Sequence, residues 1–555
     1  MTFRSRVLTV YCQAAHGVQC IRYPDDRVST NRLPWPGRLP GISVVSQEQS
    51  ASTRGFTVNT APPPGPSPQS VGPISLDRLL ADQPPVLDVG ANLDQVREGR
   101  RVVFLDDDPT GTQTIADLPV LTSWTVADLQ WALQQPTAGF FVLTNTRSLS
   151  ETDAAERNRQ VVDALHQAAT LEKVSYVIAS RSDSTLRGYF PLETDILAEE
   201  LARRGTVIDG VIICPSYVEP GRLTVDSVHW ARTAEGMIPV SHSEFAKDAS
   251  FGYRNSDLRD WVEEKTSGGI PRDQVATITL TDIRAGGPDR VLQILAGLRN
   301  GQPVVVDTAA DADQQVVVLA LLRAEAAGQN FIYRIGPSFV RARTGQTATP
   351  PADARRLQEI LSAQTDAEDA RTATKHGLIA VGSHVGLTTR QLGQLRTQGK
   401  IIELELDVPT LLDDAARNEH VDNIAGQAAS LLRQNEADSD VVIRTSRNLI
   451  TGDDAVHSLV IARTVSGALV GTVREIVSQI RPAFVLAKGG ITSSDTATEG
   501  LGIRRAWCRG TMLPGIVSLW EPVAGLAQGI PYIVFAGNVG DDHALARVVT
   551  TLRSM

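Results

Sequence analysis

The chain has 555 residues, with 53 Lys and Arg against 63 Asp and Glu, a formal net charge of −10 and a pI near 5.5. That length suits two ordinary domains with full cores, and 42% hydrophobic with 21% charged residues describes a globular chain rather than a disordered one. The acidic balance argues against a nucleic-acid or anionic-membrane partner, since both need broad positive surfaces, and apolar runs such as Gly139 to Leu143 and Val211 to Cys214 are strand-sized, far shorter than the roughly 20 apolar residues of a membrane helix.

Residues 1–72 stand apart. They carry seven Arg, no Lys and three acids, and run into Ala61-Pro62-Pro63-Pro64-Gly65-Pro66-Ser67-Pro68. Such a tract continues neither a helix nor a central strand and reads as a linker. An Arg-rich, acid-poor start suits a targeting presequence, but the apolar core of roughly 7–15 residues that a secretory signal needs is missing. The expectation is a disordered extension or a misplaced start codon.

From Arg101 onward, short β-branched runs alternate with amphipathic stretches. Strands are expected at Arg101–Leu105, Phe140–Leu143, Val174–Ala179, Val211–Cys214, Ala276–Leu280, Val304–Asp307 and Phe331–Ile335, with helices such as Thr152–Ala169 and Leu192–Arg204 between them. A break over residues 343–375, rich in Ala, Thr, Pro and charge, precedes a second series: Gly377–Val381, Ile401–Leu406, Val441–Thr445, Phe484–Lys488, Ile516–Leu519 and Tyr532–Phe535. Alternating strand and helix predicts an α/β fold of two domains, 73–342 and 376–555, joined by the 343–375 linker. Each has a mainly parallel sheet flanked by helices, with the active site in the cleft between them. The four cysteines, Cys12, Cys20, Cys214 and Cys508, form no C-x-x-C pair, which suits a reducing cytoplasm.

In such sheets chemistry sits where strands end and loops begin. After Arg101–Leu105 comes Asp106-Asp107-Asp108-Pro109-Thr110-Gly111. Successive carboxylates repel one another and call for a cation or donors nearby, so this turn is either a solvated cap or a site for a substrate hydroxyl or metal. After Val174–Ala179 comes Ser180-Arg181-Ser182-Asp183-Ser184-Thr185-Leu186-Arg187-Gly188. Arg187 offers a planar fork for a carboxylate, Asp183 can accept a hydroxyl proton, and Ser184 and Thr185 can hydrogen-bond. Together they suit a small, oxygen-rich substrate better than they suit a simple helix cap. Gly382-Ser383-His384-Val385-Gly386, Lys488-Gly489-Gly490-Ile491-Thr492-Ser493-Ser494-Asp495 and Gly537-Asn538-Val539-Gly540-Asp541-Asp542 each turn from a strand toward a helix. Three such turns in one domain point to a phosphate cradle. No G-x-x-x-x-G-K-[ST], post-strand G-x-G-x-x-G, H-E-x-x-H or G-x-S-x-G is present.

In combination and order, the Asp106–Gly111, Ser182–Gly188, Lys488–Asp495 and Gly537–Asp542 segments, with Pro220-Gly221-Arg222-Leu223-Thr224, resemble the four-carbon acid sugar kinase family. The resemblance spans Arg101 to the C-terminus. It implies an N-terminal sugar-acid-binding domain, a C-terminal nucleotide-binding domain and ATP-dependent phosphorylation of acids such as threonate or erythronate. Three departures fall on the substrate side: Pro109 where the family carries a small apolar residue, Arg181 where it often has Lys, and Asn145-Thr146-Arg147-Ser148 where it has an acidic D-T-x-S-R loop.

Phosphoryl transfer needs alignment, neutralised phosphates and a base. Asp107 or Asp183 is the candidate base. Asp106, Thr110, Ser184, Arg187 and Arg222 are the candidate substrate contacts, and Ser383, Gly489, Gly490, Thr492, Gly537 and Gly540 the nucleotide contacts. Mg²⁺ would bridge the phosphates, with its protein ligands unassigned. A small-molecule sugar acid is the expected partner, and a homo-oligomer stays open. Two rival readings are a non-catalytic sugar-acid or nucleotide sensor and a nicotinamide-dependent sugar-acid dehydrogenase, the latter disfavoured by the missing Gly-rich fingerprint.

Overall fold

The computed structural model describes residues 8–14, 17–23, 72–90, 93–362, 371–434, 438–447, 450, 453 and 455–555. Met1–Gln69 and Ser70–Met555 form separate units. In the first, Leu8–Ala14 pairs antiparallel with Gly17–Tyr23, a hairpin where the sequence suggested no element. Apart from Gly72, the rest of the expected extension lies outside the described residues.

The second unit is an α/β fold around one open sheet of fifteen strands among the described residues. Eight parallel strands form its N-terminal half, in the order Ala276–Ile278, Gln302–Val306, Gly210–Cys214, Phe331–Ile335, Tyr176–Arg181, Arg101–Asp106, Gly139–Leu143 and Leu118–Leu121. Five more, Tyr532–Phe535, Val485–Lys488, Leu378–Val381, Asp440–Thr445 and Ile401–Leu406, form the C-terminal half. Most of these strands are apolar runs buried on both faces, as expected of a parallel sheet with helices on each side.

The halves are joined by two strands that the sequence reading missed in whole or part. Arg505–Leu513 pairs antiparallel with Leu118–Leu121 and with Val517–Pro522, which in turn pairs antiparallel with Tyr532–Phe535. Leu118–Leu121 has only four residues, including Pro119, and Arg505–Leu513 begins with alternating half-buried Arg and Trp positions. The first is apolar and buried but short and interrupted by proline, and the second does not resemble the apolar runs of a parallel core. Within 343–375, read as linker, Ala354–Ser362 is a helix whose Leu357 and Ile360 are buried in the C-terminal half's core.

The helices follow their sequence patterns. Glu151–Glu172 starts at Ser150, whose hydroxyl accepts from the Asp153 N–H, and ends at Lys173 in the left-handed region. It buries Ala154, Asn158, Val161, Val162, Leu165 and Ala169 on one face, and burying each Val or Leu contributes about 1.5–3 kcal/mol. A charge at Val161 would break that face. A small three-stranded sheet, Arg222–Val225, Val228–Thr233 and Gly236–Pro239, stands beside the main one. Its first hairpin turns at Asp226 and Ser227, both with positive φ, and both N–H groups donate at 2.9 Å to the Asp307 carboxylate. That anchor fixes the hairpin carrying Arg222.

Candidate active site

The carboxyl ends of Arg101–Asp106, Gly139–Leu143 and Tyr176–Arg181 bring three loops together. Asp106 is buried and ion-paired with Arg181, while its carbonyl accepts the Thr144 and Asn145 N–H groups at 2.9 and 3.0 Å. Thr110 donates from both backbone and hydroxyl to Asp108, which pairs with Arg147. Arg147 also lies 4.0 Å from Asp107 and 3.8 Å from Asp183. It was noted in the sequence only as a departure from the family, yet it is the cation at the centre of this carboxylate cluster.

Asp107 and Asp183 look alike in sequence but differ in state. Neither oxygen of Asp107 has a hydrogen-bond partner, and burial pushes its carboxyl up to about 7 against the pull of Arg147 and Arg334. Burial also acts on Asp183, but Arg147 and Arg187, with hydrogen bonds from Thr185 and Arg187, outweigh it and hold that carboxyl at about 2. Arg187 Nε donates to Asp183 at 2.6 Å. The guanidinium groups of Arg187 and Arg222 lie 5.0 and 5.7 Å from the centre of the Phe245 ring, and Arg222 Nε is buried without a partner. Ser184 is buried, and its carbonyl lies 2.8 Å from Nε2 of His229. Behind the cluster, Glu193 pairs with Arg334, a buried ion pair the sequence did not mark.

In the C-terminal half the strands Leu378–Val381, Val485–Lys488 and Tyr532–Phe535 end in the three glycine-bearing turns. Ser383, Gly489, Thr492 and Gly537 converge. Gly489 has φ +131, and a Cβ there would stand 2.9 Å from Thr492 Oγ1 and 3.3 Å from Ser383 Cβ. A Cβ at Gly537 would stand 2.5 Å from Ser383 Oγ. Gly490 and Gly540 stand aside: a Cβ at Gly490 meets nothing within 4 Å, while one at Gly540 would strike Ala544 at 2.5 Å. Beside the cradle an apolar cavity of about 310 Å³ is lined by Gly382, His384, Val408, Ile461, Leu469 and Thr492 among others. Larger cavities of about 470 and 430 Å³ open at the amino ends of the strands, the edge away from which open α/β sheets bind ligands.

Three antiparallel pairings reverse strand direction between the halves. The pairing of Arg505–Leu513 with Val517–Pro522 is irregular between Cys508 and Gly510 and between Thr511 and Leu513. Asn145 Nδ2, from the loop that carries Arg147, donates to Ser494 Oγ at 3.3 Å, on the helix Gly490–Asp495 that follows the cradle.

A family model described as a sugar-binding N-terminal domain matches residues 102–343, and one described as a nucleotide-binding C-terminal domain matches residues 378–545. The chain belongs to the four-carbon acid sugar kinase family. Among solved structures, the fold is similar to a Salmonella typhimurium LT2 protein provisionally named a tRNA synthase, at 15% identity and TM-score 0.57, covering 80% of this chain and 98% of that one. It is also similar to a Haemophilus influenzae protein of the family DUF1537, at 17% identity and TM-score 0.53, covering 81% and 100%. No curated protein matches. Among the described residues no helix is long and apolar enough to cross a membrane.

Proposed function

We propose that this member of the four-carbon acid sugar kinase family transfers the terminal phosphoryl group of ATP to a hydroxyl of a small sugar acid of the threonate or erythronate type. The observation that carries the reading is the Asn145–Ser494 hydrogen bond, which joins the loop of the arginine–carboxylate cluster to the helix of the phosphate cradle. A binding protein needs neither that proximity nor a buried carboxylate without hydrogen-bond partners.

Asp107 is the better base. A general base works best when its pKa lies near the working pH, and burial brings Asp107 to about 7 with neither oxygen committed to a hydrogen bond. Asp183, held at about 2, stays ionised and orients Arg147 and Arg187. Arg187 and Arg222, set against Phe245, hold the acid's carboxylate, while Ser184 and Thr110 face its hydroxyls and Asp106 fixes Arg181. Ser383, Gly489, Thr492 and Gly537 surround the phosphates, with Gly490 and Gly540 at the margin, and the apolar cavity takes the base. Mg²⁺, if bound with the nucleotide, would supply charge neutralisation on the phosphates. Among the described residues no group of three His, Cys, Asp or Glu is placed to hold a metal. The buried free thiols of Cys214 and Cys508 suit a cytoplasmic location.

A coupled assay of ADP release over a panel of three- and four-carbon hydroxy acids tests the proposal. Acid-dependent release supports it. Binding of both ligands without release points to a sensor and overturns it.

A further inference from the structure

Lys488 closes the strand Val485–Lys488 and immediately precedes Gly489. Its side chain is fully buried, at 0% exposure. Nζ donates to the Ala536 carbonyl at 2.6 Å, lies 3.5 Å from the Gly537 carbonyl and sits 3.8 Å from the centre of the Phe535 ring. Its own carbonyl accepts the N–H groups of Gly382 and Ser383, both at 3.3 Å. One residue thus ties all three glycine-bearing turns together.

A buried ammonium ordinarily requires a carboxylate partner, and none pairs with Lys488 among the described residues; burial alone depresses the group to about 7. Two carbonyl dipoles and a ring face offset only part of the lost hydration. The cradle beside Gly489 and Gly537 is where the missing counter-charge can arrive. We infer that Lys488 is the counter-cation beneath the nucleotide's phosphates, a positioning residue that takes up a proton from solvent when a nucleoside di- or triphosphate binds. The inference rests on the nucleotide reading above and names a residue outside the predicted phosphate contacts.

Titratable groups on the elements beside it include His384 on the first turn with Arg447 against it, Asp495 at the end of the helix Gly490–Asp495, Asp541 on the last turn and Tyr532 on the neighbouring strand. Burial lowers His384 from 6.5 and raises Tyr532 well above 10. The Asp541 carboxyl is lowered by its bond from Arg547, and that of Asp495 is raised from 3.8 by burial. On the alkaline side of neutrality, Lys488 is the group among these that changes charge.

The test is ADP binding to the full chain by calorimetry, without acid substrate, from about pH 7.5 to about pH 9, where the nucleotide's own phosphates are ionised. Measurements in two buffers of different ionisation enthalpy count the protons taken up. Wild type should take up most of a proton, and Kd should rise by up to about tenfold per pH unit. Lys488→Met should bind ADP more weakly and lose that slope, and Lys488→Arg should recover affinity without the slope, because arginine stays charged throughout. A pH-independent Kd with no proton uptake in wild type overturns the inference even if the Met variant fails to fold; so does an unchanged slope in that variant. Wild type that binds no ADP at all overturns the nucleotide reading, and this inference with it.

Discussion

Replacing Asp107 by Asn should separate stability from catalysis. Burial carries the Asp107 carboxyl from 3.8 to about 7. The unfolded chain therefore releases this proton near 3.8 and the fold only near 7. Stability falls as pH rises between those values and stays reduced above them. At about 1.4 kcal/mol per pH unit the ionised group costs the fold on the order of 4 kcal/mol. The substituted side chain carries no charge to desolvate, although its amide must still find partners, so the gain at about pH 8 should be positive but below that ceiling. Turnover should fall about 10²- to 10⁴-fold if Asp107 is the base, with acid and nucleotide still bound. The matched variant is Asp183→Asn. That carboxyl is lowered from 3.8 to about 2, so its contribution, on the order of 2 kcal/mol, is present above 3.8 and lost as pH falls toward 2. Removing it should lower stability at neutral pH, opposite in sign to Asp107→Asn. Thermal melts at about pH 8 and the ADP-release assay read both effects. An Asp107→Asn protein that is less stable, or that turns over at the wild-type rate, would refute the reasoning.

Arg187→Ala should raise KM for the acid by about 10²-fold or more, with little change for ATP, because the carboxylate loses a two-bond partner in a water-poor site; Arg187→Lys should recover only part, and an unchanged KM in a saturation assay would remove Arg187 from the substrate site. Gly489→Val or Gly537→Val should weaken ATP binding while acid binding persists, since the added side chain meets Thr492 and Ser383; Gly490→Ala, with open space around its Cβ, should be nearly silent, and equal loss in all three by calorimetry would misplace the cradle. Asn145→Ala should reduce kcat more than either ligand's affinity, because it removes the bond between the two loop sets; full activity would show that this bond does not set the catalytic arrangement. Deleting residues 1–72 should leave kcat and Tm unchanged, and loss of folding on truncation would show that the segment docks on the core.

Much of the α/β fold was legible because its signals are local. Gly139–Leu143, Phe331–Ile335 and Tyr532–Phe535 are short apolar runs set between amphipathic helices, and a strand buried on both faces has that appearance wherever it lies. The loops were legible too, because Asp-rich and Gly-rich turns at strand ends carry their chemistry in consecutive residues. The joint between the halves was not. Leu118–Leu121 owes its place to a partner that begins at Arg505, and Pro119 and Arg505 give no local hint of it. The same holds for Arg147, Lys488 and Phe245, ordinary residues in sequence whose roles come from what packs against them. Above all, the sequence could name Asp107 and Asp183 but not rank them. A carboxyl's affinity for its proton depends on desolvation and on charges a few ångströms away. Arg187 lies four residues from Asp183 in the same loop, but Arg147, Glu193 and Arg334 come from other segments and act on the aspartates only once the sheet has brought them together.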